Sequence, residues 1–552
     1  MEKFFYENSH EFIEKMNSIA LELDESVSCY TEKNKPILQG KIKKYIDMLE
    51  QRNLGSQSKS IKEVIEDISP LFQRSVRWGH AGTMINVTPP SNVIASAVSS
   101  YSDFYNPNFA QDESSGYLMT SELIVSKYLS ELVGWDWKKS GGIFTFGGKG
   151  TCLYALKIGI SKAMGEKSHL EGIGSQDIIV ISNENSHPCH KEICDWIGIG
   201  KNSCKRIGVN KDGTVDLKQL EIVLRENIKK GVKIGCIFVN GGTTNEIVVD
   251  PIKKVVNLRN KLVAEYNLDY KPHIHVDSVI GWAWLFFNQE FDFDNSDIDN
   301  EVKIKIESLS KKVSDISLAD SFAADFHKTG FCPYLSSIFM ASDYSDITHL
   351  GGRERIPLDS MSFGEYSPFE YTLELSRPSS GALAAYSTLE AFGREGFQKS
   401  IIKLITNSCY IRDSLSKIDN FEVINSDSEG IAVLFVVKKN NTKESFDEII
   451  QKFNKKELDD FIEYNHQFYL FCLKKLEEDQ ISFKLTFSKS YKPSQSDNKT
   501  GALKIYLMSP TARKKDIKDI ILQIKKMKNL FDSTTTKIIE DRKLPVDFVY
   551  RD

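Results

Sequence analysis

The sequence predicts an α/β protein with a mostly parallel sheet, a helical arm before it and a small α+β unit after it. Three observations predict this. Short apolar runs recur between about 140 and 345, amphipathic stretches of helical length separate them, and the alternation stops near 395. Apolar runs without a period of two are strands buried on both faces, and their alternation with helices gives a parallel sheet. Ligands of such sheets bind beyond the carboxyl ends of the strands.

In chain order, residues 1 to about 75 read as helical. Phe12, Met16, Ile19, Ala20 and Leu23 recur at helical spacing, as do Ile42, Tyr45, Ile46 and Leu49. Gly55 to Ser60 reads as a connector. The arm, 1–85, packs either on its own domain or on a second subunit. A large domain follows, 86–395. Its clearest strands are Ile178–Ser182, Ile234–Val239, His273–Asp277 and Ser337–Ala341, and Leu217–Lys230 and Ile252–Tyr266 suit helices. Residues 288–312, rich in Asp and Lys, read as a solvated insertion. The final unit, 396–552, shows strands near Gly430–Val437, Gln467–Leu473 and Leu503–Met508, a polar loop from Ser488 to Thr500, and a closing helix Lys514–Leu530.

The 552 residues are 41% hydrophobic and 27% charged, and the net charge of −5 is spread along the chain. No basic stripe points to nucleic acid. No uninterrupted apolar run reaches the roughly 18 residues of a membrane span. The start, Met1 to Phe12, has only a short apolar stretch and does not read as a signal peptide. Nine cysteines, at 29, 152, 189, 194, 204, 236, 332, 409 and 472, lack paired spacing, which fits reduced thiols and a cytoplasmic location.

Four segments carry candidate chemistry. Phe144-Thr-Phe-Gly-Gly-Lys-Gly-Thr-Cys-Leu153 leads into a helix, where glycines and unpaired N–H groups suit an anion such as phosphate; a plain tight turn is the alternative. A nucleoside-triphosphate loop is excluded, because Ile143 and Gly150 occupy two of its required positions. In Ser186-His-Pro-Cys-His190, His187 suits stacking on an aromatic cofactor, or a structural role. Cys189, His190 and Cys194 suggest zinc, but a helix from 189 would not bring all three together. His273, His275 and Asp277 share one strand face. A carboxylate at the end of that apolar strand needs a partner. The protonated nitrogen of a pyridine ring is one; a strand-end or capping role is the other reading. Lys328 follows an apolar strand pattern and is either a surface lysine or an amine whose pKa is lowered by desolvation, ready for imine formation. A calcium loop at 292–297 is excluded, since Asp297 and Lys303 stand where Gly and Glu are required.

Taken together and in this order, these residues resemble the group II pyridoxal-phosphate-dependent amino-acid decarboxylases, a fold-type I family related to aspartate aminotransferases. The resemblance spans roughly 80 to 400. It includes Asn106-Pro-Asn108, Glu113-Ser-Ser-Gly116, Gly242-Thr-Thr244, Asp250-Pro251, His275-Val-Asp277, Asp325-Phe-His-Lys328, and Leu373-Glu-Leu-Ser-Arg377 with Gly381. It implies a fold-type I large domain and pyridoxal 5'-phosphate on Lys328 as a Schiff base. Asp277 becomes the pyridinium partner and His187 the stacking ring. Gly148, Lys149 and His327 become phosphate contacts, and Thr244 lies near the cofactor. By the same resemblance Tyr366 is the candidate proton donor, with Tyr344 and His349 as alternatives. Arg377 binds a substrate carboxylate or a structural one, His80 and Asn86 face the substrate, and the chain pairs as a homodimer.

Several positions depart from the family. Lys149, Gly150, Thr151 and Cys152 replace its usual Thr-Glu-Ser/Ala-Asn, and Ser278 and Val279 replace two alanines. Asp325 replaces the asparagine of the aromatic branch and matches the form seen in sphingosine-phosphate lyases and in some microbial decarboxylases. The expected reaction is therefore decarboxylation of an L-amino acid to the amine and carbon dioxide. A carbon–carbon lyase, an aldehyde synthase and an inactive binding homologue are the alternatives. Nothing in the sequence specifies the substrate side chain.

Overall fold

The structure is a computed structural model that describes residues 5–32, 34–165, 167–174, 176–288, 291–293, 297–493 and 498–534. Seven strands form the main sheet: β1 Gly141–Thr145, β2 Ile178–Asn183, β3 Cys204–Ile207, β4 Lys233–Asn240, β5 His273–Asp277, β6 Ser321–Asp325 and β7 Ser337–Ala341. Their order is β1-β7-β6-β5-β4-β2-β3. Every pairing from β6 through β3 is parallel, while β7 runs antiparallel to both its neighbours. The four strands expected from the sequence are all present. β7 departs from the parallel pattern because a short connection, not a crossover helix, joins it to β6, and that connection carries Lys328.

The strands are buried on both faces. Ile179, Ile181, Ile237, Val239, Ile274 and Val276 enter one core, and Val180, Cys236, Phe238 and Phe339 enter the other. The helix Gly148–Met164 lies on the second face. A Cβ on Gly159 would sit 2.1 Å from the Gly235 carbonyl oxygen, so glycine is what lets this helix rest directly on β4.

A second, antiparallel sheet comprises β8 Phe421–Val423, β9 Val433–Val437, β10 Thr486–Tyr491 and β11 Thr500–Ile505, in the order β10-β11-β9-β8. The helix Ser380–Ser416 runs from one core to the other with a break at Gly393: Leu389 and Phe397 lie in the first core, Ile411 and Leu415 in the second. The arm forms helices Ser9–Ser28, Tyr45–Glu50 and Ile61–Ile68, the last opened by a capping box between Ser60 and Glu63. Ile37 and Met84 belong to the second core, so the arm docks on the C-terminal unit of its own chain.

Three expectations are corrected. Gln467–Leu473 is not a strand but the middle of helix Lys455–Glu477, which starts at an Asn454/Glu457 capping box and buries Phe468, Tyr469, Leu470 and Phe471. Within 288–312, residues 289–290 and 294–296 lie outside the described residues. The rest is not simply solvated, because helix Asn300–Ser314 buries Val302, Ile306, Leu309 and Val313 at helical spacing. Of the expected loop Ser488–Thr500, residues 494–497 lie outside the described residues, while Ser488 to Tyr491 and Thr500 belong to strands. Among the described residues no helix is long and apolar enough to cross a membrane, and all nine cysteines are free thiols.

Candidate functional site

The site gathers at the carboxyl ends of β4, β5 and β6. Asp277, the last residue of β5, is buried. Its Oδ2 accepts from His190 Nε2 at 3.2 Å, while its Oδ1 has no partner. His190 is held in turn by Ser182 Oγ at Nδ1, 2.8 Å away, and by stacking on Phe238 at 4.2 Å. Burial pushes the Asp277 carboxyl up, but the hydrogen bond and charge of His190, with Lys328 beyond, outweigh it and hold the group well below the usual carboxylate range. A permanently charged carboxylate with one oxygen unsatisfied in a dry site calls for a cationic donor.

Lys328 lies three residues past β6. Its Nζ is 2.9 Å from Asp325 Oδ2, and the side chain keeps 20% of its surface exposed. Burial alone would lower this amine. Asp325, through charge and hydrogen bond, and then Asp277 more than compensate, so its pKa lies above the ordinary lysine value. The expectation of a desolvated, neutral amine is corrected: Lys328 is charged until Asp325 and Asp277 are otherwise satisfied. Ser337 Oγ fixes Asp325 by donating to Oδ1 at 2.6 Å. His327, next in line, accepts the Ser336 N–H at Nδ1 and packs against the Tyr334 ring at 4.1 Å; the Tyr334 hydroxyl pairs with Thr88 Oγ1.

The glycine-rich loop reaches the same place. Gly147, at φ 105°, caps helix Gly148–Met164; the Gly150 N–H returns to the Gly147 carbonyl at 2.8 Å, so the first-turn amides open to an anion are those of Gly148 and Lys149. A Cβ on Gly148 would stand 3.3 Å from Val279 Cγ1 and 3.4 Å from Asp325 Oδ2, which places the helix start against the lysine's ion pair. The ammonium of Lys149 is spent on Glu192, leaving its backbone N–H as its contribution here. Half-buried Thr244 follows β4 in a turn pinned by the Gly241 N–H to the Asp277 carbonyl at 2.8 Å. His187 accepts the Cys189 N–H at Nδ1, and its ring senses both Asp277 and Lys328. Burial would lower it, but Cys189 and then Asp277 raise it.

Other candidates lie elsewhere. Arg377 forms a buried ion pair with Glu122 and also donates to the Phe109 and Phe144 carbonyls. Tyr366 belongs to this cluster, its hydroxyl donating to Glu122 Oε1 at 2.9 Å; burial and the Glu122 charge push it well above the ordinary phenol, which makes it a poor acid. Tyr344 joins it, 3.5 Å away. His80 lines a separate polar cavity of about 880 Å³ with Lys35, Arg77, Asp479 and Arg513, between arm and C-terminal unit. Asn86 sits exposed in a turn at φ 56°, two residues before Thr88. His273 and His275 share the Asp277 face but are bridged by Ser321 at 2.7 and 2.8 Å. Sequence reasoning missed the buttressing role of His190 and the contribution of Tyr334. The burial of His190 beside Cys189, Ile193 and Cys194 on one helix face was the available signal for the first; Tyr334 had none.

These residues fit pyridoxal phosphate. Asp277 Oδ1 suits a ring N–H, Lys328 an aldehyde, and the Gly148 helix start with His327 a phosphate. The pyridoxal-dependent decarboxylase conserved domain matches residues 44–438. An aspartate 1-decarboxylase from Aliivibrio fischeri is 23% identical over 295 residues, 51% of this chain and 48% of that protein, so the chain spans about half the length of the curated relative it matches. Mouse CSAD in apo form superposes at a TM-score of 0.75 with 15% identity, over 93% of this chain and 99% of that one. Oryza sativa TDC with PLP and tryptamine gives 0.73 with 14% identity, over 94% and 97%. The glutamate decarboxylase domain of a Vibrio parahaemolyticus transaminase and L-2,4-diaminobutyrate decarboxylase gives 0.70 with 18%, over 93% and 95%.

Proposed function

Because the chain belongs to the pyridoxal-dependent decarboxylase family, we propose that it releases the α-carboxylate of an amino acid as carbon dioxide, with pyridoxal phosphate anchored on Lys328. The observation that carries this reading is the unpartnered, buried Oδ1 of Asp277 at the end of β5, within electrostatic reach of Lys328. Pyridoxal phosphate, when bound, supplies a pyridinium ring that accepts the electron pair left as carbon dioxide departs. Asp277 holds the proton on that ring nitrogen, and His190 holds Asp277. Asp325 keeps the Lys328 proton until the amine is needed. The amides at the Gly148 helix start and the His327 ring hold the phosphate, where the helix dipole adds about 0.3–2 kcal/mol. His187 covers a face of the ring, and Val279 fills space beside Gly148.

The second copy expected for this family is part of the proposal. Leu373 and Leu375 are each 66% exposed, while Glu374 between them reaches inward to Thr145 and Tyr154 on the glycine-loop elements. Tyr117 and Phe363 add an exposed aromatic pair. Apolar exposure of this kind is suited to burial in a homodimer; light scattering at twice the chain mass is the expected result.

The names of the similar proteins point to several substrates, so the test is a panel. Purified protein with pyridoxal phosphate is offered aspartate, glutamate, aromatic, basic and sulfur-containing amino acids, and products are read by mass spectrometry. An amine with one equivalent of carbon dioxide supports the proposal. An aldehyde product, or no product from any member while cofactor is bound, overturns it in favour of an aldehyde-forming or a binding role.

A further inference from the structure

Next to His190, which the proposed reaction uses only to hold Asp277, lie two cysteines that it does not use. Cys152 is in the second turn of helix Gly148–Met164, and Cys189 and His190 open helix Cys189–Trp196. All three are buried, at 1%, 4% and 0% exposure, and one ligand atom from each lies within 4.8 Å of the others. We propose that Cys152, Cys189 and His190 form a binding site for a thiophilic cation such as zinc, joining the starts of the two helices that flank the cofactor pocket.

The chemistry and the spacing agree. Zinc takes thiolate and imidazole ligands in a tetrahedron with bonds of about 2.0–2.3 Å, so neighbouring ligand atoms stand about 3.5–3.8 Å apart. Closing from 4.8 Å to that distance needs a shift of about 1 Å, within reach of side-chain rotation. A divalent cation replaces both thiol protons, which leave to solvent, and two thiolates balance its charge in a site with little water. His190 Nδ1 then exchanges Ser182 for the cation while Nε2 keeps Asp277, the kind of outer partner that orients metal-bound histidines. Cys194, the third member of the sequence-level cluster, instead donates its Sγ–H to the His190 carbonyl at 3.2 Å.

The test uses the full chain under reducing conditions, dialysed against zinc and then analysed for metal content and by zinc-edge X-ray absorption. We expect one zinc per chain with two sulfur neighbours and at least one nitrogen. That equivalent is lost in Cys152→Ser and in Cys189→Ser but kept in Cys29→Ser, whose thiol is exposed. Wild-type zinc without sulfur neighbours overturns the proposal whatever the variants do. So does binding undiminished in both Cys152→Ser and Cys189→Ser.

Discussion

Two buried clusters in this molecule contain the residue types a decarboxylase needs, and they are built in opposite ways. Around Glu122 the polar groups are almost all matched. Oε1 accepts from Tyr366 and Arg377, Oε2 accepts from the Phe144 N–H and Arg377, and only Arg377 Nε is left over. Around Asp277 the accounting stays open: one carboxylate oxygen has no donor, and Lys328 is held by a carboxylate it must leave to react. A satisfied network stabilises a fold, and an unsatisfied one holds a place for a ligand. Residue type alone does not separate the two; the unspent valence does.

The largest effect expected from breaking this contrast is on the closed side. Arg377→Met strands a buried carboxylate and costs about 3–5 kcal/mol of stability, read as a lower denaturant midpoint. Unchanged stability with a raised KM would move Arg377 to the substrate instead. On the open side, Asp277→Asn removes the charge facing the ring nitrogen, and carbon dioxide release falls about 10²–10³-fold. The asparagine oxygen can still accept the His190 N–H, so the apoprotein loses less stability than Arg377→Met does. Activity near wild type would mean that the ring nitrogen lies elsewhere.

Smaller effects sharpen the distinction. Tyr366→Phe withdraws one hydrogen bond from Glu122 and costs about 1.5–3 kcal/mol, with turnover close to wild type. A collapse of turnover at full stability would reinstate Tyr366 as the proton donor. Asp325→Asn removes the charge that raises the Lys328 pKa, so the neutral amine becomes available at lower pH. The pH at which cofactor reconstitution is half-maximal then moves down; a midpoint that stays or rises contradicts the ion pair's role.

Four of the seven strands of the main sheet were legible because apolar runs with polar ends have few other uses in an alternating chain. The same rule misread Gln467–Leu473, where seven largely apolar residues sit inside a 23-residue helix whose start was announced by Asn454 and Glu457. A short apolar run does not reveal its period; its flanks do. In the site, Asp277, Lys328 and Gly148 stood out because Asp277 ends a strand, Lys328 closely follows one and Gly148 opens a helix. The surroundings of Tyr366, Arg377 and His80 were not legible because they come from distant parts of the chain: Glu122 is more than 240 residues from Tyr366, and the His80 cavity closes against residues 479–523. The raised pKa of Lys328 was misjudged for a related reason, since burial could be anticipated from the strand pattern but the 2.9 Å approach of Asp325 could not.

The most direct measurement is borohydride reduction of the cofactor-loaded protein followed by peptide mapping. All of the cofactor's mass should appear on the peptide that contains Lys328. Label on Lys149 or another lysine, or no label in protein that demonstrably holds pyridoxal phosphate, would contradict an active site built on Lys328 and Asp277.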